Sequence, residues 1–125
     1  MKEKIIRVLK IEPQKPPVEA ELKNELSSLQ EAVGGLIEFL ALDSSKGIEL
    51  MCNEEGKLLG MEYNRALCDE SGAVYDILCG PFFICGLGEE DFTSLSDALA
   101  DKYCKYFERP ELFVRVGGTL MVMRA

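Results

Sequence analysis

Polar and apolar positions alternate through Ile5 to Ile11, with Ile5, Leu9 and Ile11 on one side and Ile6 and Val8 on the other. Apolar groups on both faces predict a strand inside a sheet and not at its edge. Pro13, Pro16 and Pro17 follow and rule out ladder bonding, which predicts an exposed connector. Leu22, Leu26, Leu29 and Val33 then recur at spacings of four, three and four, one apolar stripe of a helix. Asn24 is its expected N-cap and Gly34-Gly35 its stop. Leu36 to Leu42 and Gly47 to Cys52 read as strands, separated by Asp43-Ser44-Ser45-Lys46.

Asn53-Glu54-Glu55-Gly56 and Asp69-Glu70-Ser71-Gly72 both have the type I turn pattern, with Asn or Asp first and Gly fourth. Each is expected to join antiparallel strands. Between them, Tyr63-Asn64-Arg65 reads as a loop or a short strand. Gly80-Pro81 breaks the apolar run from Val74 to Leu87 into two strands. A second helix is expected to open at Thr93 or Ser94, with Ser94 and Asp97 as a capping box and Leu95, Leu99, Tyr103 and Tyr106 as its stripe. Pro110 ends it. Leu112 to Val116 and Thr119 to Met123 flank Gly117-Gly118, a two-residue hairpin signal. Hairpins outnumber crossovers, so the expected class is α+β: a mostly antiparallel sheet packed against two helices, with a C-terminal hairpin at 112–123.

Composition narrows the function classes more than the fold. A length of 125 residues predicts one domain over 1–125, with enough chain to bury a core unaided. A hydrophobic fraction of 47% and a charged fraction of 29% are those of an ordinary globular protein. No apolar run reaches the ~18–20 residues of a membrane span, and Met1 to Lys4 leads into a mixed stretch with no signal-peptide core. A cytoplasmic location without membrane contact is expected. The five cysteines are an odd number with no C-x-x-C spacing, and Cys52, Cys79 and Cys85 lie in apolar runs, so buried free thiols are expected and no metal site.

Charge is unevenly spread. Residues 43–101 hold thirteen acids against Lys46, Lys57 and Arg65, a balance of -10, whereas residues 102–125 balance at +3. This disfavours direct binding to nucleic-acid phosphate through the middle of the chain. It fits solubility, a basic protein partner, or imitation of nucleic-acid charge. With no histidine anywhere, the commonest general base and metal ligand is missing. No catalytic residue, metal or cofactor is expected.

The densest polar cluster is Asn53, Glu54, Glu55 and Lys57, followed by Asn64 and Arg65. Its carboxylates could hold a cation, and Lys57 with Arg65 an anion. Adjacent residues point different ways, so Glu54 and Glu55 do not promise an acid/base pair. Arg65 either neutralises Asp76 or Asp69 internally or contacts a ligand. The run Gly86-Leu87-Gly88 precedes Glu89-Glu90-Asp91, whose charge opposes a phosphate cradle.

Val33-Gly34-Gly35-Leu36-Ile37-Glu38, Cys52 to Leu58, Asn64-Arg65, Gly80 to Gly86 and Asp91 to Leu95 form an ordered series that resembles the DUF3846 family of uncharacterised domains from bacteria, phages and mobile elements. The likeness covers about residues 5–107. It departs at Gly60-Met61-Glu62-Tyr63, where Leu-Pro is expected before the Asn-Arg pair, and the C-terminal hairpin lies outside it. The resemblance implies a mobile-element context and makes Asn53, Glu54, Gly56, Lys57, Asn64 and Arg65 characteristic positions. The leading expectation is a non-enzymatic accessory protein that binds a macromolecular partner through an acidic surface, with anti-defence activity as one version. The alternative is a small-ligand or nucleotide site at Asn53, Lys57, Asn64 and Arg65. A carboxylate- and metal-dependent hydrolase comes third. A homodimer through the hairpin edge is a further expectation.

Overall fold

Strands that are apolar on both faces need cover on both faces, and the computed structural model supplies it with one helix on each side. It describes residues 4–89 and 91–124, so Glu90 of the acidic run lies outside the described residues. The strands are β1 (Ile5–Ile11), β2 (Val18–Lys23), β3 (Ile37–Asp43), β4 (Ile48–Asn53), β5 (Tyr63–Cys68), β6 (Val74–Cys79), β7 (Phe82–Leu87), β8 (Phe92–Thr93), β9 (Glu111–Val116) and β10 (Thr119–Arg124). The helices are α1 (Leu26–Val33) and α2 (Asp97–Tyr106). The main sheet runs β2-β1-β7-β4-β3, with β8 beside β7, while β5-β6 and β9-β10 form separate two-stranded ribbons. All pairings are antiparallel. The class is α+β, with the C-terminal hairpin expected from Gly117-Gly118.

The period-two pattern sorts the core into two layers. Leu9, Ile11, Leu50, Phe82 and Ile84 point to one face, where Ala100, Tyr103 and Phe107 of the α2 region and Leu67 and Leu78 of the β5-β6 ribbon cover them. Ile6, Val8, Met51, Phe83 and Cys85 point to the other, under Leu29 and Val33 of α1. Each such fully buried side chain contributes about 1.5–3 kcal/mol relative to its exposed state.

Several local expectations are corrected. Leu22 belongs not to a helix but to β2, whose register with β1 runs from Ile5 opposite Lys23 to Lys10 opposite Val18. Helix α1 begins only at Leu26, after Glu25. Asn24 is not its cap but is buried, donating from Nδ2 to the Phe92 carbonyl at 3.2 Å. The stop at Gly34 holds: φ is 82°, and its N–H bonds the Gln30 and Glu31 carbonyls. The cap of α2 is Ser96, whose Oγ accepts from Leu99 N, while Ser94 Oγ accepts from Arg7 N instead. Pro17 is buried, so the proline connector is only partly exposed.

Candidate functional site

The polar cluster singled out by sequence is built largely into the interior. Asn53 ends β4 and is buried. Its Nδ2 donates to the Val33 carbonyl at 3.0 Å and its Oδ1 accepts from Glu55 N at 2.7 Å. One amide thus satisfies a carbonyl in the last turn of α1 and shapes the turn that follows β4. That turn does not join β4 to a neighbouring strand, as expected, because β5 pairs only with β6. Gly56 is needed there for space and not for φ: a Cβ on it would stand 2.7 Å from the Cys79 carbonyl oxygen. The second turn does join β5 to β6, with Asp69 Oδ1 accepting from Ser71 N and Ala73 N.

Asn64 and Arg65 form a buried clamp on β5. Asn64 is 0% exposed, and its Nδ2 donates to the carbonyls of Ile11 (2.9 Å) and Gly80 (2.8 Å). Its Oδ1 accepts from Arg65 Nη1 at 2.8 Å. Arg65, 1% exposed, donates from Nη2 to the Lys15 carbonyl at 2.7 Å and from Nη2 and Nε to the Phe107 carbonyl at 3.0 and 3.3 Å. Phe107 is the C-cap of α2, so the guanidinium sits where the helix presents unpaired carbonyls and partial negative charge. Burial lowers the Arg65 pKa and the Glu111 charge raises it in opposition. The side chain stays cationic because guanidinium groups do not deprotonate in proteins. Glu111 is itself buried, its Oε1 accepting from Ala66 N at 2.8 Å. The expected internal partners, Asp76 and Asp69, are therefore replaced by backbone carbonyls and by Asn64 Oδ1.

Asp76 belongs instead to Lys57, with Nζ and Oδ1 2.6 Å apart at the surface. This hydrogen bond raises the Lys57 pKa, against the opposing effect of desolvation. Asn53, Glu54 and Lys57 line a small cavity of 90 Å³ together with Glu38 and Asp76. Arg65 lines a different one, of 190 Å³, beside Lys105, Tyr106 and Glu111. The arrangement does not bring Asn53, Lys57, Asn64 and Arg65 onto one cavity. Glu54 is exposed and Glu55 half-buried.

The chemistry available in the 90 Å³ cavity is limited. Burial, then the charges of Glu38 and Asp76, push the Cys52 thiol up to about 12, and burial also raises Cys79, so neither is a thiolate nucleophile near neutral pH. Among the described residues no group of three or more Cys, Asp or Glu is placed to hold a metal ion. No described helix is long and apolar enough to cross a membrane.

Sequence reasoning missed a larger concavity of 680 Å³ between the β5-β6 ribbon, the 57–62 segment and the hairpin, lined by Met61, Tyr63, Tyr75, Ile77 and Leu120 among others. The alternation of Tyr75 and Ile77 along β6 was a signal that they share one strand face. Leu120 was not, because no local pattern says where a hairpin docks.

Residues 6–108 match the model of a family described as a domain of unknown function, DUF3846. No curated protein and no solved structure matches the chain.

Proposed function

Starting from a chain that belongs to the DUF3846 family, we propose that it is a non-enzymatic accessory protein of a phage or mobile element that binds a protein partner through its acidic surface. The observation that carries this reading is the fate of two of the three bases among residues 43–101, the third, Lys46, being exposed. Arg65 is withdrawn into the interior, and Lys57 is held by Asp76. Glu54, Glu62, Glu70 and Glu89 stay exposed, without an ion pair among the described residues. Burial of Arg65 makes the accessible surface of this stretch more acidic than its net charge suggests, while the Lys57–Asp76 pair leaves the balance unchanged. Such a surface attracts basic groups and accelerates their encounter, while repelling phosphate. Anti-defence activity by imitation of nucleic-acid charge is one form this binding takes.

The test is affinity capture from a bacterial lysate with the wild type and with Glu54→Lys/Glu70→Lys/Glu89→Lys. The triple variant alters only exposed positions and should keep the wild-type melting temperature. The reading expects a protein captured by the wild type to be lost with the variant, and equal recovery would sink it. The small-ligand reading at Asn53, Lys57, Asn64 and Arg65 is the less supported one, because those side chains are engaged in separate structural contacts.

Self-association through the C-terminal hairpin is a second reading favoured by a specific observation. Leu112 opposite Met123 and Val114 opposite Met121 lie on one face of the hairpin, all four side chains exposed. The opposite face carries Phe113, whose ring packs 5.2 Å from Tyr63. Four exposed apolar side chains make a small patch, and a stable complex buries ~800 Å² per partner, so this face supports a weak dimer.

A further inference from the structure

The 680 Å³ concavity has the volume of a ligand site and a largely apolar, aromatic-bearing lining. Its apolar lining comes from Tyr75 and Ile77 of β6, Met61 of the 57–62 segment and Leu120 of the hairpin. Tyr75 is 64% exposed, a large aromatic face left open to solvent. Tyr63 is fixed in place by the Phe113 ring at 5.2 Å and by Arg115 Nη2, which donates to its hydroxyl at 3.3 Å. The rim is acidic: Glu62 and Asp76 line the concavity, and Glu38 and Glu54 line the adjoining 90 Å³ cavity, which shares Lys57, Asp76, Ile77 and Cys79 with it. Two bases stand here: Lys57 is held by Asp76, and Arg115 donates to the Tyr63 hydroxyl, against Glu38, Glu54 and Glu62, which have no ion pair among the described residues.

The two cavities together form a trough with an apolar lining, an open tyrosine ring and carboxylates along its edge. Phosphate-bearing ligands are repelled by that edge. An apolar side chain fits the lining, and a cation with a long aliphatic stem fits the ring and the rim at once, by cation–π contact and by charge. We propose that the trough receives an extended segment of the partner protein in which arginine flanks an apolar residue. The apolar residue sits between Met61, Ile77 and Leu120, and an arginine lies over Tyr75 with its guanidinium toward Glu62. This deepens the acidic-surface reading and rests on it for the sign of the partner's charge. The hairpin falls outside the family-matched residues 6–108, so the Leu120 lining is a feature of this chain beyond the matched region.

The test uses the full chain, ¹⁵N-labelled, titrated with acetyl-Arg-Leu-Arg-amide and, as control, acetyl-Glu-Leu-Glu-amide. The arginine peptide should move the amide signals of Tyr63, Tyr75, Ile77 and Leu120 saturably, in the millimolar range expected for so short a ligand. Tyr75→Ala, at an exposed position, should leave the fold intact and weaken binding about fivefold, as loss of one cation–π contact does. Equal response to both peptides, no saturation, or binding unaffected by Tyr75→Ala overturns the proposal. Tyr75→Ala keeps every carboxylate, whereas the triple charge variant keeps the apolar lining and Glu62 but reverses Glu54 on the trough's edge. Partner capture lost only in the charge variant therefore removes the trough and leaves the acidic-surface reading standing. Capture unchanged in both removes the two together.

Discussion

Replacing Arg65 by alanine deletes a group that ties the proline connector, the β5-β6 ribbon and the C-terminus of α2 together. Its guanidinium donates to the carbonyls of Lys15, Asn64 and Phe107 and to Asn64 Oδ1. Each buried acceptor left without its donor costs ~1–3 kcal/mol. Relief from burying the arginine's charge offsets part of this. The carbonyls of Lys15 and Phe107 both lose their Arg65 donor, so the net loss is about 3 kcal/mol. For a chain of this size, with a urea m-value of ~2 kcal/mol/M, the midpoint should fall by about 1.5 M with m unchanged. Urea titration followed by circular dichroism reads this directly. Arg65→Lys should recover little, because one ammonium cannot span acceptors on three segments. Lys57→Ala is the comparator: its ion pair is exposed at the surface, and its loss should cost under ~1 kcal/mol. If the Arg65→Ala midpoint stays within about 0.3 M of wild type, the assignment of Arg65 to structure is wrong and a ligand role returns.

Other consequences are equally direct. Gly56→Ala should destabilise by roughly 1–3 kcal/mol in the same titration, because its Cβ would meet the Cys79 carbonyl oxygen at 2.7 Å. Unfolded thiols lose their protons near pH 9, whereas folded Cys52 and Cys85 hold theirs up to about 12. Above pH 9 the unfolded state binds fewer protons, so these thiols' contribution is fully present below that pH and is lost as pH rises, by ~1.4 kcal/mol per unit for each. The urea midpoint should thus fall less steeply between pH 8.5 and 10.5 in Cys52→Ala/Cys85→Ala than in wild type, and parallel curves contradict it. Val114→Glu on the exposed hairpin face should abolish any concentration-dependent dimer seen by sedimentation, without changing the melting temperature.

The sequence revealed elements where local pattern and long-range pairing agree. The double-sided apolar alternation of β1, the Gly80-Pro81 break between β6 and β7 and the Gly117-Gly118 hairpin are local signals that the fold keeps. Strand β2 was hidden because Leu22 falls by coincidence in register with the stripe of α1. Only pairing with β1, across a connector of three prolines, decides it. The cap of α2 was misplaced for the same reason, since Ser94 is drawn away by Arg7, 87 residues distant. The polar cluster was visible as a cluster but not in its role. The carbonyls that claim Arg65 lie 42 and 50 residues away, and nothing in the local sequence names them. The trough escaped notice because its walls come from three separated segments.

The central claim is that recognition is carried by exposed carboxylates, while the Asn53, Asn64 and Arg65 cluster serves the fold. Calorimetric titration of a captured, purified partner at 50 and 300 mM salt tests it most directly. The account predicts that Kd rises at least about tenfold with salt and that the triple charge variant binds weakly at both concentrations. Binding that is indifferent to salt and to the three substitutions would contradict it.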